Sequence, residues 1–318
     1  MARRRAVFIA LAAAVLVGGC SSGDTTEFGT STEGEHVARF VQQPWADLVV
    51  ETEIARQVLD KLGYRTSTQE VSVPLAAQAL ASGQADVYLG NWWPSQQEVF
   101  NGYLSEGKVE VAGKVLEGTE YSPAVPGYVE ESLGITSFTD LDTHADALGR
   151  KIYGIEPGAP ANDTIQRAIA NDAYGLGDWE LVPSSTEAML AEVSRRAAKR
   201  EPIVFLGWSP HWMTAEWDLR FLADPQKVWP GAGEVRSLTR SKLAEADPNL
   251  ARFVSQITVD PTTASDFIRG VDKDGKAAEV VAKEWMAAHP DQLRVWLDGV
   301  RSVKGEPAAD VVLDKAGG

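Results

Sequence analysis

Residues 89–94 read LGNWWP, which places two adjacent tryptophans, Trp92 and Trp93, at the end of a predicted strand. The strand is predicted at residues 86–89, and Pro94 is predicted to start the next helix. Successive residues of a strand point to opposite faces, so a single core can bury only one of the two indoles. The motif therefore predicts that one tryptophan packs into the protein and that the other has a separate role.

Around this motif, short apolar runs alternate with amphipathic stretches. Helices are predicted at residues 47–62 and 74–82, where apolar side chains recur at helical spacing before a glycine. A strand is predicted between them at residues 64–71. The β-α-β-α order predicts an α/β fold with a parallel sheet and helices on both faces.

A second alternating run follows a segment rich in proline and glycine at residues 121–128, YSPAVPGY. The elements predicted in this run are strands at 151–155, 179–182 and 203–206 and helices at 162–172 and 184–199. From about Trp217 the chain is predicted to be mostly helical, with one strand near Val235. We expect two lobes, with the chain crossing between them near residues 121–128 and 211–217. Lobe I would comprise residues 36–121 and 215–318, and lobe II residues 122–214.

The N-terminus is typical of an exported protein. Residues 1–19 contain three arginines and then an apolar run that is short for a transmembrane helix, as in a secretory signal peptide. The run ends in LVGGC, which resembles the bacterial lipobox and implies that Cys20 is lipidated. The remainder of residues 20–35 has the composition of a flexible tether. The alternative is an unlipidated signal peptide with an incidental cysteine.

Charge and cysteine content exclude several classes of function. The net charge is −15, and removal of the signal peptide with its three arginines makes it −18, so nucleic acid and anionic lipid are poor partners. Cys20 is the only cysteine, so the mature domain has no internal disulfide and no thiol nucleophile.

The sequence lacks the common motifs of enzymes. The four histidines are scattered without zinc-site spacing, and no phosphate-binding glycine loop occurs. Residues 207–211, GWSPH, begin like a nucleophile elbow, but His211 replaces the second glycine and Pro210 lacks the N–H that an oxyanion hole needs. We therefore predict that the protein is not an enzyme and uses no metal or cofactor.

Aromatic residues are concentrated at the carboxyl ends of predicted strands. Trp45, Trp92 and Trp208 each lie among turn residues after a strand, and Tyr121 lies at the first predicted crossing. Ligands of open α/β sheets bind outside the carboxyl ends of the strands. Any single tryptophan is more often a core residue, as expected here for Trp285 and Trp296. The four positions together predict an aromatic ligand site.

Several motifs resemble the choline and glycine betaine substrate-binding proteins of ABC importers. The motifs are the lipobox, PWAD, ADVYLGNWWPS, the Tyr121 segment, KIYGIEPGAPAND and VFLGWSPHWM. The resemblance implies a two-lobed periplasmic-binding-protein fold, type II-like, that closes on a quaternary ammonium group in a cleft between the lobes. Matched motif by motif, the aromatic box falls on Trp45, Trp92, Tyr121 and Trp208. Such a group has no N–H to donate, whereas aromatic faces attract it, each by roughly 0.5 to 2 kcal/mol.

The residues that would hold the other end of the ligand distinguish choline from betaine. Asp47 matches the choline-type carboxylate that accepts a hydrogen bond from the hydroxyl, and it would repel the carboxylate of betaine. Its alternative role is that of an acid at a helix N-terminus. Asn162 or Asp163 is a second candidate contact, although either could be a helix cap. His211 corresponds to a betaine-type contact and is otherwise structural.

We therefore predict a monomeric, lipid-anchored binding protein outside the cytoplasm, periplasmic or at the cell surface, that delivers choline or a related cation to an ABC permease and its ATPase. Trp93 is a weaker candidate contact than Trp92. The alternatives are a glycine betaine or proline betaine binding protein of the same fold, a ligand-binding partner of a sensor, and an exported hydrolase.

Overall fold

The computed structural model describes residues 36–313. The predicted signal peptide, Cys20 and the tether lie outside the described residues. The strands are β1 (Val37–Gln42), β2 (Arg65–Glu70), β3 (Val87–Trp93), β4 (Val109–Val125), β5 (Lys151–Tyr153), β6 (Glu180–Val182), β7 (Val204–Ser209), β8 (Arg220–Phe221) and β9 (Gly233–Arg240).

The strands form a mixed sheet in the order β2-β1-β3-β9-β4-β7-β5-β6, with β8 paired to β4. Two groups of strands are parallel, as predicted: β1 with β2 and β3, and β5 with β6 and β7. Between them, β4 and β9 run antiparallel to their neighbours. The sequence predicted the two parallel groups and a strand near Val235, which is β9, but it predicted neither β4 nor the antiparallel pairing that joins the groups.

Strand β4 corrects the interpretation of the YSPAVPGY segment. Residues 121–125 are not a loop, because the strand continues through Pro123 to Val125. Its first part pairs with β9 as far as Thr119, and its last part pairs with β7 from Glu120 onward. Pairing along the strand therefore overrides the local turn preference of proline and glycine. This one strand therefore joins the two parts of the sheet, through β9 on one side and β7 on the other, and carries Tyr121 near the junction.

Fourteen α-helices accompany the sheet in the described part of the chain. They are α1 (Ala46–Lys61), α2 (Val73–Ala81), α3 (Gln97–Ser105), α4 (Gly127–Leu133), α5 (Ala145–Leu148), α6 (Pro160–Ala170), α7 (Thr186–Ala197), α8 (Met213–Glu216), α9 (Leu243–Ala246), α10 (Pro248–Gln256), α11 (Pro261–Asp272), α12 (Ala278–Ala288), α13 (Pro290–Trp296) and α14 (Ala308–Leu313). Short 3-10 helices occupy Phe138–Asp140, Asp142–His144 and Ala173–Asp178. No helix within residues 36–313 has the length and apolar character needed to cross a membrane.

Two local predictions change. Pro94 does not begin a helix: the backbone N–H of Gln96 donates to the Trp92 carbonyl at 2.8 Å, so residues 94–96 form a turn and α3 starts at Gln97. Helix α6 starts at Pro160, with Ala159 in the capping position, so neither Asn162 nor Asp163 is its N-cap.

Tryptophans expected in the core are buried. Trp296 has no exposed surface, and Trp179, Trp229 and Trp285 are each less than a tenth exposed. Trp296 stacks on Trp285 with ring centroids 5.1 Å apart, within the helical C-terminal region. These residues therefore stabilise the fold by burying large apolar surfaces.

Candidate functional site

One cavity gathers most of the predicted site residues. It encloses about 600 Å³, including the part that opens to solvent. Its lining residues are Pro44, Trp45, Ala46, Asp47, Trp92, Ser95, Gln96, Tyr121, Ile155, Pro160, Thr186, Glu187, Trp208, His211, Ile268 and Asp272. Trp45, Asp47, Trp92, Tyr121, Trp208 and His211 are thus brought together; strand ends predicted this for the four aromatic residues, and the family resemblance for Asp47 and His211.

Trp45 is positioned by the short connection between β1 and α1. It precedes α1 directly, in extended backbone conformation. Its indole nitrogen donates to Glu156 Oε2 at 3.3 Å, and Glu156 Oε1 accepts from the backbone N–H of Thr186 at 2.7 Å. Trp45 is therefore fixed through Glu156 to the N-terminus of α7.

The adjacent pair in LGNWWP is divided as the alternation of a strand requires. Trp92 lines the cavity, whereas Trp93 does not. The guanidinium of Arg236 lies 3.8 Å from the ring centroid of Trp93 and donates to Asn91 Oδ1 at 3.0 Å. A cation–π contact of this kind stabilises the outer face of β3 and β9.

A buried polar network lies behind Trp92. The Tyr88 hydroxyl donates to Gln43 Oε1 at 2.7 Å, and the Gln96 amide donates to the Gly90 carbonyl at 3.0 Å. Gly90 also permits close packing, because a Cβ there would lie 2.5 Å from the Leu48 side chain on α1. These contacts hold β3 close to the start of α1, where Trp45 is.

Tyr121 and Trp208 lie directly opposite each other on β4 and β7. Their ring centroids are 6.2 Å apart at 73°, and Tyr121 lies 5.6 Å from Trp92. Trp229 packs 5.9 Å from Tyr121 and donates its indole N–H to the Tyr121 carbonyl. Burial, with the nearby charge of Glu156, raises the pKa of the Tyr121 hydroxyl well above its usual value, so the ring stays neutral.

Two carboxyl groups are buried on α1, one turn apart. Asp47 lines the cavity and is 7% exposed, and Glu51 is 3% exposed. Burial raises the pKa of Asp47 to about 6, although backbone N–H groups at the helix start partly offset this effect. Burial also raises the pKa of Glu51 well above its usual value, and the charge of Asp47 adds to the increase.

Three further ionisable residues line the cavity: His211, Glu187 and Asp272. Burial lowers the pKa of His211 to about 3, so the imidazole is neutral at physiological pH. Burial raises the pKa of Asp272 to about 6, which the nearby indole N–H of Trp212 partly offsets and the charges of Glu187 and Asp47 reinforce. No lysine or arginine among residues 36–313 lines the cavity. The site therefore presents aromatic faces and carboxylates without a positive charge.

Asn162 and Asp163 do not line the cavity. The Asn162 side chain is buried and holds the loop after β5: its Oδ1 accepts from the Ile155 N–H at 3.1 Å, and its amide donates to the Ile155 and Glu156 carbonyls at 2.9 and 3.0 Å. Asp163 is exposed on α6. Asn162 thus shapes the loop that carries Glu156, and we leave both residues out of the proposed ligand contacts.

Sequence reasoning missed several cavity residues, including Gln96, Glu187 and Asp272. Gln96 follows the NWWP motif directly, so its proximity to the site could have been inferred. Glu187 lies in the first turn of α7, and Asp272 is the last residue of α11, far from any motif. Within the described residues, no group of three or more histidine, cysteine and acidic side chains could hold a metal ion.

The chain is similar to known proteins in sequence and in fold. Residues 39–288 match the family described as the substrate binding domain of the ABC-type glycine betaine transport system. The glycine betaine/carnitine transport binding protein GbuC of Listeria monocytogenes is 34% identical over 161 residues, which are 51% of this chain and 53% of that protein.

Solved structures share the fold. An ABC-transporter choline binding protein in complex with choline superposes with a TM-score of 0.85 at 32% identity, covering 89% of this chain and 98% of that one. Lactococcal OpuAC, closed on glycine betaine, has a TM-score of 0.74 at 26% identity, covering 82% of this chain and 99% of that one. The predicted α/β two-lobed periplasmic-binding-protein fold is confirmed.

The matched family region covers most of the chain, and the family consists of solute-binding proteins that carry out no reaction. The prediction that this protein is not an enzyme is confirmed accordingly. The chain belongs to the family of substrate-binding domains of ABC-type glycine betaine transport systems.

Proposed function

We propose that this protein is the lipid-anchored, extracytoplasmic component of an ABC importer and that it binds choline or a closely related quaternary ammonium compound. Trp45, Trp92, Tyr121 and Trp208 would form a box around the ammonium group, and Asp47 would accept a hydrogen bond from the ligand hydroxyl. The observation that carries the proposal is the cavity itself, in which aromatic rings and carboxylates surround a space that no lysine or arginine of residues 36–313 lines.

This lining suits a cation that cannot donate hydrogen bonds. A trimethylammonium group offers only methyl groups with a spread positive charge, and the negative faces of aromatic rings attract it. Four rings at roughly 0.5 to 2 kcal/mol each supply several kcal/mol when water is excluded. A micromolar dissociation constant corresponds to about 8 kcal/mol, and apolar contact and charge attraction can supply the remainder.

The charge of the cavity favours choline over a zwitterion. Asp47, Glu187 and Asp272 line it, so a ligand carboxylate would meet like charges. The similarity to the choline-bound protein, with a TM-score of 0.85, also favours choline as the ligand.

The second candidate is glycine betaine or proline betaine. It is favoured by the family description and by the Listeria relative. The neutral imidazole of His211, which could donate a hydrogen bond to a carboxylate, also favours this candidate.

Calorimetric titration with choline, acetylcholine, glycine betaine, carnitine and proline betaine tests the proposal. We expect choline to bind most tightly, at about micromolar concentration. Tighter binding of a betaine would select the second candidate. If none of the five binds below millimolar concentration, the protein has a different ligand.

We also propose that Cys20 carries the lipid and that residues 21–35 tether the domain to the membrane. The motif LVGGC at residues 16–20 supports this proposal. A Cys20→Ser variant is expected to move from the membrane fraction to the soluble fraction while it keeps its ligand affinity. Membrane retention of that variant would contradict lipid anchoring at this residue.

Two further proposals concern the lobes and the assembly. Lobe I would contain residues 36–121 and 215–318, and lobe II residues 122–214. The pairing of β8 with Ala124 and Val125 of β4 favours one change to these bounds, which is a second crossing near Gly233 instead of at residue 215. We expect a monomer that presents both lobes to the permease, which light scattering of the purified domain would test.

A further inference from the structure

His211 and Asp272 form a pair in the cavity wall that the proposed ammonium box does not use. His211 follows β7, and Asp272 ends α11. His211 Nε2 lies 3.8 Å from Asp272 Oδ2, and the two side chains are 1% and 15% exposed. This separation is too long for a hydrogen bond but short enough for strong electrostatic influence.

The proton on His211 can be assigned from its other nitrogen. Nδ1 accepts a hydrogen bond from the Met213 N–H at 3.0 Å, so in the neutral ring the proton is on Nε2. Nε2 is buried and has no hydrogen-bond partner. A buried donor without a partner is costly, so this N–H is available to an acceptor that enters the cavity.

Asp272 has no cationic partner that would neutralise it. Its neighbour Lys273 pairs with another acid: the ammonium lies 2.9 Å from Glu216 Oε1 and 4.3 Å from the ring centroid of Trp212. No salt bridge among residues 36–313 joins Asp272 to a lysine or an arginine. The carboxylate is therefore open to compensation by a cation in the cavity.

These two groups have opposite consequences for a ligand with an anionic end. The His211 N–H is the donor that such an end would need, because no lysine or arginine of the described chain lines the cavity. Asp272 lies next to that donor. A ligand carboxylate bound at His211 would therefore lie within a few ångströms of another carboxylate, and both could not remain ionised without a large cost.

We propose that Asp272 is a specificity-determining residue that blocks the approach of a ligand carboxylate to His211 and thereby restricts the cavity to cations with a hydroxyl or other uncharged end. The inference rests on the proposed function and deepens it. Asp272, in the C-terminal helical region, would exclude zwitterions together with Asp47.

The test compares choline and glycine betaine on two variants by calorimetry at pH 7.5. Asp272→Asn keeps the size of the side chain and removes the charge. Asp266→Asn, on the exposed side of the same helix, is the matched control. We expect Asp272→Asn to lower the ratio of the betaine to the choline dissociation constant at least about tenfold, a change of about 1.4 kcal/mol. Asp266→Asn should leave the ratio unchanged.

A second comparison separates specificity from altered folding. In the double variant Asp272→Asn with His211→Phe, the gain in betaine affinity should disappear, since the donor is gone. A purely structural effect of Asp272→Asn would change both ligands alike and would not depend on His211. Asp272→Ser replaces Asp272→Asn if thermal denaturation shows that the latter does not fold.

The outcomes distinguish this inference from the proposed function. An unchanged ratio in Asp272→Asn, with the wild type still selecting choline, would overturn the role of Asp272 alone. A gain in betaine affinity that persists in the double variant, which lacks His211, would also overturn this role of Asp272. A wild-type protein that binds neither ligand below millimolar concentration would overturn the proposed function.

Discussion

The indole nitrogen of Trp45 donates a hydrogen bond to the carboxylate of Glu156, 3.3 Å away across 111 residues of sequence. Trp45 follows β1, in one parallel group of strands, and Glu156 follows β5, in the other. The same carboxylate accepts from the Thr186 N–H at the start of α7. One acidic residue thus joins a wall of the cavity to the opposite part of the sheet.

Removal of this link should weaken ligand binding through faster release. Glu156→Ala removes the acceptor of both hydrogen bonds and is expected to raise the choline dissociation constant roughly three- to tenfold, chiefly because Trp45 loses its charge-assisted bond. Glu156→Gln retains an acceptor and should lie closer to wild type. Stopped-flow tryptophan fluorescence measures both rate constants. Glu180→Ala, an exposed acid on β6, is the control, and equal release rates in all the proteins would contradict this role.

The two tryptophans of LGNWWP should differ in their effect on affinity. Trp92→Ala and Trp208→Ala each remove a ring from the cavity and should weaken choline binding at least about tenfold. Trp93→Ala should leave the dissociation constant within about twofold of wild type, because Trp93 lies outside the cavity beneath Arg236. Calorimetry of the three variants measures this difference.

A core tryptophan provides the stability control for these variants. Trp296 is fully buried, so Trp296→Ala should lower the free energy of unfolding by about 3 to 5 kcal/mol. Under conditions where it remains folded, it should keep the wild-type affinity for choline. Equal affinities in Trp92→Ala, Trp208→Ala and Trp296→Ala would rule out the aromatic box.

Asp47→Asn should have opposite effects on binding and on stability. Loss of the acceptor charge should weaken the binding of choline more than the binding of glycine betaine. The empty protein should nevertheless melt at a higher temperature at pH 7.5, since a buried carboxylate with a raised pKa costs stability when it is ionised. Calorimetric titration and thermal denaturation of the same samples test both effects. A greater loss of affinity for betaine than for choline would favour the hypothesis that the protein binds betaine.

Choline affinity should fall in acid. The pKa of Asp47 is raised to about 6 in the empty protein, and a bound cation favours the ionised form, so binding below this pH must release a proton. The dissociation constant should be flat above about pH 7 and roughly tenfold higher at pH 5, since one pKa unit corresponds to a factor of ten. The pKa of Asp272 is also raised to about 6, so protonation of Asp272 steepens the change in affinity. The pKa of His211 is lowered to about 3, so His211 does not titrate between pH 5 and pH 7. A flat profile in the wild type would contradict this linkage, and Asp47→Asn should flatten it in part.

Much of the fold and the aromatic part of the candidate site could be predicted because they depend on local patterns and on where strands end. Trp45, Trp92 and Trp208 follow or end strands, and the carboxyl ends of parallel strands meet at one edge of a sheet. Helix α1 was predicted to within one residue at each end because its apolar spacing and final glycine are local signals.

The remaining parts depend on contacts between distant segments. Pro123 lies within β4 because this part of the strand pairs with β7, opposite Leu206, and no local pattern indicates this. Asp272 reaches the cavity through the packing of α11 against elements distant in sequence, α1 and β4. Asn162 was a plausible contact by its place in a motif, but its amide is fully engaged by the loop that it holds.

The most direct test of the central claim compares choline with its uncharged analogue, in which a tert-butyl group replaces the trimethylammonium group. The two ligands have nearly the same shape and the same hydroxyl, so the difference between them isolates the positive charge. Calorimetric titration at pH 7.5 should give a choline dissociation constant at about micromolar concentration and at least about a hundredfold weaker binding of the analogue, a difference of about 2.7 kcal/mol. Similar affinities for the two ligands would contradict a site built from aromatic faces and carboxylates to hold a cation.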